Sequence, residues 1–410
     1  MSEQTHAGIE AFMPFNPLDP EFAANPYPHF QRLQHDSPVV RTPAGIWYVT
    51  RYHDVAAVLR DARFGHGDGT VEEEKLGWLG TASGASGEKV RSFFALDPPD
   101  HDRLRRMVTK GFSARRVQLL EEQVQRVVDE LLDEALRKDE IDVMAELAYP
   151  LPVIVICELL GVPPGDREVF HGWSEALARG LDPDFVQTPR DIQARGKALL
   201  EFRDYFLDLS AARRKEPGED LISALIQVEE EGDMLSETEL LTTCVLMVIA
   251  GAETTVNFLG NSTLALLRHP DQRALMTDRP EEFPAAMEEL LRYDPPVQMT
   301  FRVALEDVEL RGEHIAKNDL VIVVMGAANR DPEVFDDPDR LDLTRPVGRH
   351  LAFGLGTHFC FGAPLARLQG RLLLPDLFRR APGITLVEDK VTYKRNVLLR
   401  GLSALPVRLR

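Results

Sequence analysis

A mainly α protein with small β-sheets (α+β), built as one large domain, is predicted by three observations. Apolar residues recur at helical spacing through most of residues 101–293. Strand-like alternation is confined to short stretches towards the two ends of the chain. No internal repeat and no linker-like stretch divides the 410 residues.

Taken in order, Asn25-Pro26-Tyr27-Pro28 opens a short helix, and residues 39–50 alternate around Pro43-Ala44-Gly45 as a hairpin does. Residues 52–59 read as a helix. Residues 65–87 are rich in glycine and interrupted by Glu72-Glu73-Glu74, which suggests a long loop. Helical spacing resumes from 101 to about 138. The clearest helix runs from Glu237 to about His269, with Ser236 and Glu239 as a capping box and Pro270 beyond its end. Leu241, Val245, Val248, Ala252, Val256 and Leu259 form its apolar stripe, and at 1.5 Å per residue it spans ~50 Å. Strands are expected at 303–310, 320–325, 384–387 and 406–409, so the sheets come from the chain's two ends.

At 44% hydrophobic and 28% charged, the chain has ample material for a core. Its 47 basic and 66 acidic residues leave a net charge of −19, which argues against a sequence-independent grip on nucleic acid or an anionic membrane. The 28 glycines and 28 prolines are scattered without period, which excludes collagen-like and low-complexity readings. Residues 1–11 lack a secretory pattern. The longest apolar runs, 244–252 and 320–325, fall well short of the ~20 residues of a spanning helix. Three cysteines cannot make a disulfide framework, so a cytoplasmic protein is expected.

Cys157 and Cys244 lie in apolar runs and read as small buried hydrophobes. Cys360 differs. It sits in Phe353-Gly354-Leu355-Gly356-Thr357-His358-Phe359-Cys360-Phe361-Gly362, with Pro364 opening a helix just beyond. A helix N-terminus favours a thiolate, which suits a nucleophile or a metal ligand. Zinc needs about four ligands, and no second cysteine or close histidine pair supplies them. A nucleophile wants an orienting histidine, for which His358 is poorly spaced. A haem iron needs one axial thiolate, with glycines to admit the porphyrin. A glycine-rich turn with an incidental cysteine also remains open on these residues alone.

The same ten residues match the haem-ligand signature of the cytochrome P450 family, Phe-x-x-Gly-x-His-x-Cys-x-Gly, at every defined position. The resemblance runs from Asn25 to the C-terminus. It implies a single P450-fold haem-thiolate domain over 25–410 after an N-terminal extension, 1–24. It also implies the soluble bacterial type, with no membrane anchor ahead and no fused redox domain behind, and haem b (iron protoporphyrin IX) ligated by Cys360.

Other segments take on roles in that light. Glu289 and Arg292 stand three apart on one helix face, alone an ordinary surface ion pair. They resemble the family's structural Glu-x-x-Arg pair, with Asp337-Pro338-Asp339-Arg340-Leu341 as its usual third partner, although the family more often has Glu and Phe where Asp339 and Leu341 stand. Within Ala250-Gly251-Ala252-Glu253-Thr254-Thr255, threonines bonding back to carbonyls would merely bend the helix. The resemblance instead makes Glu253 and Thr254 the family's acid–alcohol pair, on a helix opened to admit O2 and water. His101 and Arg105, four apart, resemble the propionate-binding pair, and Arg302 and His358 match the other propionate contacts. Leu246, Ile249, Ala250, Gln298, Met299, Thr300, Val397 and Leu398 are implied as pocket walls, with Gln298 and Thr300 able to orient a substrate. The 65–87 and 167–200 regions are expected to cover the entrance.

Between residues 101 and 116 six basic residues (Arg103, Arg105, Arg106, Lys110, Arg115 and Arg116) face one acid, Asp102. A charge run is ordinarily a solvated face. In this family the helix borders the face where an acidic electron-transfer protein docks, so Arg103, Arg106, Lys110, Arg115 and Arg116 are candidates to steer a ferredoxin served by an NAD(P)H-dependent reductase. The implied activity is that of a monomeric haem-thiolate monooxygenase, which inserts one atom of O2 into a largely hydrophobic small molecule by hydroxylation or epoxidation. A peroxide-driven peroxygenase is the enzymatic rival, although such enzymes typically lack the acid–alcohol pair. A non-catalytic haem-thiolate sensor or carrier is the other; it would need neither that pair nor a cationic docking face.

Overall fold

A computed structural model describes residues 9–76, 81–83, 89–111, 114–230, 233–346 and 348–410. Helix makes up 58% and strand 11%, which is the predicted mainly α class. The chain forms two compact units: Met1–Gly65, Glu130–Ala148 and Thr254–Arg410 in one, His66–Asp129 and Tyr149–Glu253 in the other.

The first unit carries a five-stranded sheet in the order Val39–Arg41, Ile46–Val49, Leu320–Val323, Thr300–Ala304, Phe64–Gly65. Only the Ile46–Val49 and Leu320–Val323 pair is parallel, with Ile46 opposite Leu320 and Val49 opposite Val323. Both strands are buried along their whole length, as their unbroken Val/Ile/Leu and aromatic content suits. Trp47, Val55, Leu59, Phe64, Val321 and Leu351 pack in the core beside it. Residues 9–24 join this unit too: Phe15 stacks on Phe22 at 4.8 Å and meets Phe30 edge-on.

Several boundaries differ from the sequence reading. Residues 303–310 make two strands, because the chain leaves the sheet at Leu305, whose N–H donates to the Arg63 carbonyl (2.7 Å). Val308–Leu310 then pairs with Glu313–Ile315. The strand predicted over 320–325 stops at Val323, and Met325 begins a short helix, Met325–Ala328. The sheets are not made from the two ends alone, since Glu140–Asp142 pairs with Pro406–Arg408.

In the second unit, the loop expected over 65–87 contains a helix, Thr70–Leu76, and a strand, Thr81–Ser83, paired with Lys89–Arg91. Asp68 caps that helix by accepting from the Thr70 N–H (2.9 Å). Residues 77–80 and 84–88 of that region lie outside the described residues. Helices Arg167–Arg179 and Pro189–Lys215 pack through Phe170, Trp173, Phe202 and Phe206, the last two stacked at 4.5 Å.

The long helix, Glu237–Arg268, runs through both units as one element. Its capping box is reciprocal: Ser236 N–H donates to Glu239 Oε2 (2.8 Å) and Glu239 N–H to Ser236 Oγ (3.2 Å). By length and composition it could cross a membrane, unlike its uninterrupted apolar runs, but 72% of its most apolar window is buried in the protein, as in a core helix. Gly370, on helix Ala363–Arg380, lets that helix close on Phe258 and Met287; an added Cβ would lie 2.7 and 2.6 Å from their side chains. Gly370→Ala is expected to lower stability by about 1–3 kcal/mol, measured by urea unfolding.

Candidate functional site

Cys360 is partly buried at the end of a loop shaped by two left-handed glycines, Gly354 (φ 68°) and Gly356 (φ 72°). A Cβ on Gly356 would lie 2.6 Å from the Leu59 carbonyl oxygen, so the loop rests directly against helix Tyr52–Arg60. The Cys360 N–H donates to the Phe353 carbonyl (2.9 Å), closing the loop on itself. Gly362 is the N-cap of Ala363–Arg380, with Pro364 in the first turn, so the sulfur lies just ahead of a helix N-terminus. A Cβ at Gly362 would meet nothing within 4 Å. In the same unit Arg302 is 3% exposed on strand Thr300–Ala304, and its Nη1 donates to the Phe301 carbonyl (2.7 Å). His358 and Thr254 are half-buried. One thiol ahead of a helix N-terminus, together with a buried guanidinium and an imidazole, is a donor set that fits haem: a soft axial ligand and cations for its carboxylates.

The loop is held from below by a buried ion pair. Glu289 and Arg292 are 4% and 1% exposed, not the surface pair their spacing alone suggests. Arg292 Nε and Nη2 donate to both Glu289 oxygens (2.7 and 2.8 Å). Its remaining hydrogens reach the carbonyls of Asn329 (2.9 Å), Pro338 (2.8 Å) and Arg340 (3.3 Å). Glu289 Oε1 also accepts from the Asp342 N–H (3.0 Å) and Arg345 Nε (3.2 Å).

The adjacent Glu288, which the sequence reading passed over, faces elsewhere. Arg367 clamps it through Nε (2.7 Å) and Nη2 (2.8 Å), and His350 Nε2 lies 2.9 Å away. Burial would push the Glu288 carboxyl up, but the hydrogen bonds from Arg367 and His350 outweigh it and hold the pKa at about 2. The only signal in the sequence was a second glutamate beside the motif and a basic side chain seven residues after Cys360.

Among the pocket candidates of this unit, Gln298 is 3% exposed with its Nε2 committed to the Pro295 carbonyl (2.7 Å). Its Oε1, by contrast, makes no hydrogen bond among the described residues, and the residue lines a small cleft. Met299 and Val397 are also buried, and line a small cleft with Phe22, Phe30 and Leu399; Thr300 and Leu398 are half-buried.

In the second unit His101 is 1% exposed on helix Asp100–Gly111, its Nδ1 2.8 Å from Asp102 Oδ1, and Arg105 is half-buried one turn on. Glu253 is 3% exposed. Tyr149, also missed from sequence, belongs to its surroundings: burial and then the Glu253 carboxylate raise the phenol's pKa. The long helix is not opened at Ala250–Thr255 but stays α-helical, and Gly251 serves packing, since its Cβ would lie 3.2 Å from Ile156 Cδ1. Along it Leu246, Ala250 and Thr254, four apart, form an accessible stripe, while Ile249 is 6% exposed. Of the basic cluster, Arg103 is drawn into ion pairs with Asp233 (2.8 Å) and Glu239, so its charge is already matched. Arg106 and Lys110 are exposed, and the side chains of Arg115 and Arg116 lie outside the described ones.

Comparison with known proteins places this geometry. The profile of the family described as Cytochrome P450 matches residues 283–381, the stretch from the Glu289–Arg292 pair through the cysteine helix. The chain is 41% identical over 400 residues to 6-deoxyerythronolide B hydroxylase of Saccharopolyspora erythraea, covering 93% of this chain and 96% of that protein. It is 39% identical over 408 residues to the polyketide biosynthesis cytochrome P450 PksS of Bacillus subtilis, covering 96% and 98%. Among solved structures, P450BioI in complex with an acyl carrier protein carrying hexadec-9Z-enoic acid superposes with a TM-score of 0.85 at 33% identity, covering 95% of this chain and 99% of that one. Fold and relatives together define the class of haem monooxygenases that oxidise hydrophobic substrates. The chain belongs to the cytochrome P450 family.

Because the folded pKa of Glu288 lies below its ordinary 4.5, its contribution is fully present above pH 4.5 and is lost as pH falls towards 2. The contribution is at most about 3 kcal/mol. The stability gap between wild type and Glu288→Gln, measured by denaturant unfolding across pH, is therefore expected to be widest above pH 5 and to close between about 4.5 and 2.

Proposed function

We propose that this chain inserts one oxygen atom of O2 into a largely hydrophobic small molecule, by hydroxylation or epoxidation, using electrons from a ferredoxin-type protein and its reductase. The observation that carries the reading is the Cys360 loop, shaped by the left-handed Gly354 and Gly356, with its single thiol ahead of a helix N-terminus. Haem b held by Cys360 would supply the redox-active iron at which O2 is activated, with the thiolate donating electron density.

The chain's own residues do the rest. His101, Arg105, Arg302 and His358 are assigned to the haem carboxylates, where charge-assisted hydrogen bonds fix orientation. Thr254 holds a proton at its hydroxyl beside the O2 site, and Glu253 resupplies that proton from solvent. The burial of Glu253 supports a relay role, since a buried carboxylate exchanges protons only along a defined path. The substrate-wall candidates are Leu246, Ile249 and Ala250 in the second unit and Gln298, Met299, Thr300, Val397 and Leu398 in the first. Gln298, whose Oε1 makes no hydrogen bond among the described residues, and Thr300 are the groups available for polar orientation of the substrate. The relatives' names speak of polyketide biosynthesis, of 6-deoxyerythronolide B and of a carrier protein bearing hexadec-9Z-enoic acid, which supports a substrate with a sizeable apolar part. The exposed Arg106 and Lys110 are the docking cations for the electron donor.

Two measurements test this reading. The reduced protein with carbon monoxide is expected to show the red-shifted Soret band of thiolate ligation, and Cys360→Ala to lose it; an unshifted band in fresh wild type would overturn the haem assignment. Thr254→Ala is expected to bind haem normally but to divert much of its NAD(P)H consumption to peroxide, roughly tenfold or more against product, as loss of a positioned proton donor implies. Unchanged coupling removes Thr254 from the relay.

A further inference from the structure

Glu288 is left over once Glu289 and Arg292 are accounted for. It neighbours that pair on helix Phe283–Tyr293, yet its carboxylate serves a different set of residues, all belonging to the cysteine loop or its helix. Arg367 stands seven residues after Cys360, just over one turn into helix Ala363–Arg380. Glu288 grips it bidentately at 2.7 and 2.8 Å, the geometry that fixes a guanidinium plane most firmly. That plane lies over the Phe353 ring, 4.5 Å from its centroid. Phe353 in turn accepts the Cys360 N–H.

His350 joins the clamp at Oε2, the oxygen that Arg367 Nη2 also reaches. Its Nδ1 accepts from the Ala352 N–H (3.2 Å), so Nε2 carries the proton and donates to Glu288 at 2.9 Å. The His350 ring meets Phe353 at 5.9 Å. One carboxylate therefore holds two groups that flank the Phe353 ring, on the residue whose backbone carbonyl accepts the Cys360 N–H. The Arg367 guanidinium is held in its charged form first by Glu288 and also by the charge of Cys360, and the attraction is mutual.

We propose that Glu288 and Arg367 are positioning residues that set the charge balance at the Cys360 thiolate, with Arg367 the cation that withdraws electron density and Glu288 the anion that both aims and offsets it. The proposal rests on the haem-thiolate reading above. Reduction of the iron adds one negative charge at the thiolate-ligated centre. A nearby fixed cation favours that state, and a nearby fixed anion opposes it. A staple with no electrostatic role makes a different prediction, since removing either partner would then loosen the same loop in the same way.

The test is spectroelectrochemical titration of purified holoenzyme, read alongside the reduced carbon-monoxide band. Glu288→Gln keeps the side chain's shape and one acceptor oxygen; its reduction potential is expected to rise above wild type. Arg367→Gln is expected to fall below it, and Arg367→Lys, which keeps the charge without the bidentate grip, to lie between Arg367→Gln and wild type. Shifts of opposite sign support the proposal. Shifts of the same sign, or none, in holoenzymes that keep the red-shifted band overturn it. If Arg367→Gln does not accumulate with haem, Glu288→Gln decides alone: a raised potential supports the proposal and an unchanged or lowered one refutes it. Wild type without the red-shifted band would sink the underlying haem-thiolate reading, and this proposal with it, so the two failures are told apart by the wild-type spectrum.

Discussion

A guanidinium buried to 1% exposure must have every hydrogen matched, and the burial of Arg292 is the constraint on which the cysteine-bearing half of this protein depends. Glu289 neutralises it, but three further backbone carbonyls at Asn329, Pro338 and Arg340 complete its shell. Those carbonyls belong to a stretch with little regular structure, whose path the arginine dictates. Removing one member of such a buried pair typically costs about 3–5 kcal/mol, because it strands the other charge. The pair is thus less a source of net stability than a requirement for one chain path. Since Asn329 Oδ1 also accepts from the Leu351 N–H, two residues before Phe353, that path leads straight into the cysteine loop.

Adjacent residues on one helix turn serve opposite ends of the same task. Glu289 fixes the irregular stretch before the loop, and Glu288 fixes the helix after it. Successive helical residues point about 100° apart, so neighbouring glutamates reach different partners without competing. The loop between the two anchors needs little rigidity of its own, which allows Gly354 and Gly356 to adopt left-handed conformations and press close to Leu59.

How much of this was legible in the sequence follows from how local each signal is. The cysteine loop was readable because its glycines, cysteine and following proline act within ten residues. The long helix was readable from its stripe and its capping box, but the packing role of Gly251 was not, because the side chain it accommodates, Ile156, lies far away in sequence. The spacing of Glu289 and Arg292 was visible, but their burial depends on carbonyls some 37 to 48 residues further on. The helix Thr70–Leu76 was hidden by flanking glycines that advertise a loop, while the Asp68 cap that starts it was overlooked. Glu288 and Arg367 are 79 residues apart, and no periodicity connects them.

The charge distribution shows how tertiary pairing revises a count of residues. Six basic side chains in one helical region of a −19 chain suggest a broad cationic face. The fold removes Arg103 from it by bringing Asp233 and Glu239 alongside, from 130 and 136 residues away. Arg105 is half-buried, and Arg106 and Lys110 remain at the surface of the same helix. A few exposed cations cannot reverse the long-range field of so acidic a protein, because beyond a Debye length of about 8–10 Å at physiological salt their attraction is screened. At contact distance exposed cations still discriminate, so a cluster of this size bears more on orientation at a surface than on capture from solution.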